Sequence, residues 1–285
     1  MTTERVVDKI ISNYSRMTKS QKIIANFVED NYSRIPSMSV KDLSDAINMS
    51  YATIVRFSQM LGYDGYLEMR SSIKKENSDY YSVHSRFDRY QEGGKNNHQS
   101  LAKKVMQNDL DNLKDAIDNF DDEVFAKIVS EINKANRIHL VGFGTDTTIA
   151  TFLDWYMDYM GYNTVCHSDA GFRSSVKISG MKKGDLLILF ATPRYLRMEM
   201  DILLLAKEVG VKSVCISPGN AFEFLSTCDY PISVTDKASS FINSYVCYMA
   251  VVNALILSVY ESNKEAIDKE IKWKEENEKY FDILI

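Results

Sequence analysis

From residue 137 onward, five short apolar runs alternate with stretches of helical periodicity, and that alternation leaves few folds open. The runs are 138–141, 163–166, 186–190, 213–216 and 230–234. Each has strand length, and all but 163–166 are apolar at most positions, as expected of strands buried on both faces. The helical segments between them supply the crossovers that parallel pairing requires. The prediction for residues 100–285 is an α/β, doubly wound, parallel five-stranded sheet of the flavodoxin-like kind. Two long helices, at 239–260 and 263–281, are expected to close the chain.

Residues 1–76 read instead as an all-α bundle. Val40, Leu43, Ala46 and Ile47 fall at helical spacing and give one helix an apolar face. Asn48-Met49 breaks the pattern, and Ser50 is placed to cap a second helix by accepting a backbone N–H bond. In that helix Ile54, Phe57, Met60 and Leu61 point inward, while Tyr51, Thr53 and Arg56 point out near its start. Such a pair is a helix-turn-helix, whose second helix enters the major groove. The expected DNA contacts are Ser50, Tyr51, Thr53, Arg56 and Gln59, with Lys41 on the first helix. An ordinary helical hairpin has the same periodicity, so the flanking residues carry the decision.

Net charge is −5, which by itself disfavours a nucleic-acid partner, but its distribution does not. Residues 1–78 carry 11 Lys and Arg against 9 Asp and Glu; the remainder carries 23 against 30. A mildly basic head on an acidic body fits DNA reading confined to the head, with a weak non-specific contribution. Between them, residues 77–99 are polar and rich in turn formers, and read as a linker with some helix around 80–90.

Cys166, Cys215, Cys228 and Cys247 show neither C-x-x-C nor zinc-finger spacing, so buried free thiols in a reducing cytoplasm are expected, with no metal and no cofactor. The most apolar run, Tyr245 to Tyr260, falls short of the roughly 20 residues a spanning helix needs. No apolar segment follows a basic start as in a signal peptide. These features point to a cytoplasmic protein with no membrane partner.

The flanks of the helix-turn-helix are specific. The stretch Met17-Thr18-Lys19-Ser20-Gln21-Lys22-Ile23-Ile24-Ala25, then Ser50 to Phe57, then Leu61-Gly62-Tyr63-Asp64-Gly65-Tyr66 resembles the head of the RpiR family of bacterial transcriptional regulators. The second half is similar to the SIS (sugar isomerase) domain that follows the head in that family. Arg137 to Gly144, Tyr162 to Asp169, Lys183-Gly184-Asp185 and Ala206 to Lys212 carry that similarity. The resemblance implies operator DNA as a partner, a homodimer or homotetramer, and a role in sugar or amino-sugar metabolism.

Ligands of open α/β sheets sit outside the carboxyl ends of strands. Those ends carry the expected ligand residues Gly144, Thr145, Asp146, His167, Thr192, Arg194 and Ser217. The chain departs here from the family it resembles. Phosphosugar-binding SIS domains carry a Ser-x-Ser-Gly-x-Thr loop after strand three, and the matching positions are Ala191, Thr192, Pro193, Arg194, Tyr195 and Leu196. The serine usual after Gly-x-Gly is Asp146. Simple phosphosugars are therefore expected to bind poorly, and Asp146 to favour a ligand offering donors or positive charge. His139 reads as packed, and no catalytic constellation is evident, so no catalytic residue is assigned. Two other readings stay open: a SIS domain that is only an oligomerisation scaffold, and a SIS-type isomerase with an accessory helical head.

Overall fold

The computed structural model describes residues 5–32, 35–80, 98–219, 221–237 and 242–281. It falls into two compact units, one helical and one α/β. Most of the 77–99 linker, with the helix expected around 80–90, lies outside the described residues, and its described ends are helical rather than irregular.

Among the described residues the first unit contains α1 (Val6–Asn13), α2 (Lys19–Asp30), α3 (Val40–Ile47), α4 (Tyr51–Met60) and α5 (Tyr66–Tyr80). Their starts are written in polar side chains. Thr18 and Gln21 bond each other's backbone N–H at α2, and Ser39 and Asp42 do so at α3. The Thr53 N–H donates to Ser50 Oγ at 3.3 Å, so Ser50 caps α4 as its position predicts. Between α3 and α4, Asn48 takes the left-handed conformation (φ 51°, ψ 48°), which asparagine tolerates better than other residues with a Cβ. The Ser44 hydroxyl then donates to Met49 O at 2.5 Å and fixes the turn.

Leu43, Ile54, Phe57, Leu61, Tyr63, Tyr66, Met69 and Ile73 enter one core with residues of α1 and α2. One expectation needs correction: Ala46 is exposed, because it lies at the edge of the α3 stripe, where a lone methyl gains little from burial. Met60, the last residue of α4, is half-buried and packs against the core as expected. The Tyr66 hydroxyl donates to Met38 O at 3.0 Å and draws α5 against the bundle. Glu76 of α5 receives the Val6 N–H at 3.1 Å and the Tyr32 hydroxyl.

The second unit opens with α6 (His98–Asp118) and α7 (Asp122–Lys134), the latter capped by Asp121. The strands are β1 (Ile138–Val141), β2 (Thr164–His167), β3 (Leu186–Phe190), β4 (Lys212–Pro218) and β5 (Tyr230–Val234). All pair in parallel in the order β2-β1-β3-β4-β5. Strand β2 runs one residue later than predicted, bringing His167 into register with Val141. The winding reverses between β1 and β3, which sets the topological switch point there. Ile138, Leu140, Leu186, Ile188, Phe190, Val214 and Ile216 face one core shared with α7, with α8 (Thr147–Tyr159) and with α12 (Val246–Ser262).

Helix α12 begins at Val246 rather than near 239; residues 242–245 precede it without helix, and 238–241 lie outside the described residues. In the single chain Ala250, Asn253 and Leu257 form an exposed face of α12. Helix α13 (Lys264–Glu278) follows and runs into a 3-10 turn at Lys279–Phe281. Among the described residues, no single helix is long and apolar enough to cross a membrane.

Candidate functional site

Helix α4 presents two faces. Ile54, Phe57 and Ser58 are buried, whereas Tyr51, Ala52, Arg56 and Gln59 are exposed along the opposite side. Ser50 and Lys41 are also exposed. Thr53 is half-buried, and its hydroxyl lies 2.8 Å from Ser50 Oγ, so it serves the cap first. Gln59 Nε2 donates to Asp64 O at 3.3 Å, which steadies the side chain on the helix surface. In a helix-turn-helix the exposed face of the second helix is the one offered to base edges.

The cleft at the switch point is built around Asp146. Gly142 permits the chain to fold back there, since a Cβ at that position would lie 2.5 Å from Asp146 O. Asp146 is 3% exposed. Its carboxylate accepts the Thr192 N–H at 3.0 Å, the Thr192 hydroxyl at 2.9 Å and the Tyr245 hydroxyl at 2.8 Å. Thr145 Oγ1 lies 2.5 Å from the same Tyr245 hydroxyl. Burial raises the Asp146 pKa, opposed by the bonds from Tyr245 and Thr192. Next to it, Glu199 of α10 (Arg197–Val209) is buried and accepts the Leu196 N–H at 2.8 Å. Burial, with the Asp146 charge adding, pushes the Glu199 carboxyl up to about 8.

The structure therefore brings together Thr145, Asp146 and Thr192 of the predicted ligand set and disperses the rest. Ser217 is buried and donates to Ala191 O at 2.8 Å. Gly144 is exposed at φ 60°. Arg194 is exposed at φ 90°, a strained backbone for a residue with a Cβ. His167 is buried, with Nε2 3.1 Å from His139 Nδ1. The two rings stack 5° from parallel, and His139 Nε2 stands 3.5 Å from Asp185 Oδ2. Burial, then His139 and Lys177, holds His167 down at about 4. It is packed in the interior with His139 and stands apart from the Asp146 group.

Sequence reading missed Tyr245, Glu199 and Tyr248. Tyr245 was hidden because the apolar pattern carried the last core helix through it. Glu199 follows Leu196 by three residues, the spacing of an N-terminal helix acid, but no hydroxyl cap drew attention to it. Tyr248, fully buried with no partner for its hydroxyl, resembles any core aromatic in sequence. Among the described residues, no three His, Cys, Asp or Glu side chains converge to hold a metal.

Comparison with known proteins agrees with the two-part architecture. Residues 4–80 match the helix-turn-helix domain of the rpiR family, and residues 131–258 match the SIS domain. The chain is similar to the Vibrio vulnificus NanR protein, solved in complex with ManNAc-6P. Identity is 18% over 98% of this chain and 100% of that one, with a TM-score of 0.66. It is also similar to the sugar isomerase domain of an RpiR transcription factor from Sphaerobacter thermophilus. Here identity is 23% over 62% of this chain and 98% of that one, with a TM-score of 0.59. At such identities the structures speak for the fold. The family assignment comes from the two matched domains in their order: an rpiR-type head followed by a SIS domain is the make-up of the RpiR family of DNA-binding transcription regulators, and this chain belongs to it.

Proposed function

We propose that the chain regulates genes of sugar or amino-sugar metabolism in the cytoplasm, as a homodimer or homotetramer that catalyses no reaction of its own. The head reads operator DNA through Ser50, Tyr51, Thr53, Arg56 and Gln59 of the second helix, with Lys41 beside them. The α/β unit joins the copies and answers a small molecule held outside the carboxyl ends of β1 and β3. That molecule acts only by its differential affinity for two arrangements of the heads, one of which matches half-sites about a helical turn or its multiples apart. The observation that carries this reading is the exposed polar face of α4 over a fully buried opposite face. The Vibrio vulnificus NanR complex with ManNAc-6P supports a small-molecule effector.

Arg56→Ala tests the head. Operator affinity, by fluorescence anisotropy at fixed salt, should fall by about 1–3 kcal/mol with the fold intact. Unchanged affinity in a folded variant would refute the assignment.

Self-association is proposed through α6 and α12. An apolar groove of about 320 Å³ runs between them, lined by Leu113, Ile117, Phe120, Ala250, Val251 and Ala254. Leu257 and Ile117 stand exposed near it. Light scattering of the full chain should give at least a dimer, and Leu257→Asp should lower the mass. A monomeric parent at micromolar concentration would end this proposal.

A further inference from the structure

The crevice between β1 and β3 already holds an anion, and the protein supplies it. Asp146 is the N-cap residue of α8, yet its carboxylate makes no capping bond to that helix. An aspartate at this position ordinarily accepts an amide of its own first turn. Asp146 instead reaches across the switch point. Two donors of Thr192, from the loop after β3, and the hydroxyl of Tyr245, from the segment before α12, converge on it within 3.1 Å. Converging backbone and hydroxyl donors in that crevice are what an open parallel sheet offers a ligand's anionic group. A second observation marks the place as a binding position rather than a filled core. The Tyr248 hydroxyl is wholly buried without a hydrogen-bond partner. Tyr245 and Tyr248 pack with ring centroids 5.8 Å apart.

We infer that Asp146 is a tethered anion: it occupies the position a ligand's phosphate would take, so the wild-type cleft rejects phosphorylated ligands, and its removal creates a phosphate site. Two consequences follow. An incoming phosphate meets a fixed carboxylate instead of free donors. The loops after β1 and β3 are also held together without any ligand. Asp146→Ser would release the Thr192 N–H, the Thr192 hydroxyl and the Tyr245 hydroxyl at one stroke.

The test titrates inorganic phosphate and a hexose 6-phosphate into the full-length wild type, Asp146→Ser and Asp146→Asn, by calorimetry and by thermal melts. The wild type should show no saturable binding up to about 10 mM. Asp146→Ser should bind phosphate at least about tenfold more tightly than the wild type, and added phosphate should raise its melting temperature by mass action. Asp146→Asn fills the same space with a neutral group; it should fold and gain less. The inference is overturned if the wild type binds either compound at micromolar concentration. It is equally overturned if Asp146→Ser gains no affinity, or if phosphate fails to restore it where it melts early or does not fold. The inference rests on the cleft being the effector site, and DNA affinity measured alongside separates the two. A serine variant that binds phosphate without any change in DNA affinity upholds the tethered anion and removes only the effector reading.

Discussion

Phe57→Ala should abolish DNA binding by unfolding the helical unit while the α/β unit stays folded. Phe57 is fully buried among Ile24, Leu43, Ile54 and Met69, in a core that shares no residue with that of the sheet. Truncating a buried phenylalanine costs about 3–5 kcal/mol. A unit of this size has a total stability of about 4–11 kcal/mol, from roughly 0.05–0.15 kcal/mol per residue. The loss therefore takes much or all of what is available. Calorimetric scans should show the head's transition lowered or lost, with the second transition in place. A single transition moving as one would show that the two cores melt together, and the prediction would fail.

The second large effect is on pH dependence. Glu199 has its carboxyl pushed up to about 8 in the folded chain, by burial first and the Asp146 charge second, from an ordinary value of 4.5. Between those values the folded state keeps a proton that the unfolded chain has lost. Stability must then fall as pH rises through that window and level off above about 8. A tenfold difference in proton affinity between folded and unfolded chain is worth about 1.4 kcal/mol, so the whole decline is at most of the order of a few kcal/mol. Asp146, also raised by burial, contributes a decline of the same sign. Glu199→Gln keeps the shape and removes the titration, so urea melts between about pH 5 and 8 should show a flatter profile and a more stable protein at the alkaline end. Identical slopes for parent and variant would show that Glu199 ionises freely in the fold.

The strands were legible because a parallel sheet covered on both faces leaves apolar runs that nothing else in a soluble chain requires. Leu186 to Phe190 is buried at every position, and its limits agree with the sequence reading. The head was legible through its caps, since Ser50 and Thr18 act locally and local chemistry is written in neighbouring residues. The cleft was harder. That Thr145, Asp146 and Thr192 would meet followed from their shared position at strand ends. That Asp146 would spend its charge on Thr192 and Tyr245 did not follow, because Tyr245 arrives from a distant part of the chain and no periodicity reports it. His167 failed for a related reason: a strand end can face the crevice or the covered side, and one residue of register decides which. The late start of α12 has the same origin, for the apolar run continues past the point where Ser244 and Tyr245 turn away to bond with Asp109 and Asp146.

The first of those bonds belongs to a set that fastens α6 to the chain before α12. Ser244 donates to Asp109 Oδ1 at 2.6 Å, and Asn112 donates to Lys237 O at 2.9 Å. Lys237 closes on Asp115 at 2.7 Å. The middle of α6 is thus clamped to the chain segment that also carries Tyr245 to the cleft. From Asp109 back to His98 the helix runs about 16 Å, at about 1.5 Å per residue. His98, the end of the helix nearest the head in sequence, thus lies about three turns before the fastened part.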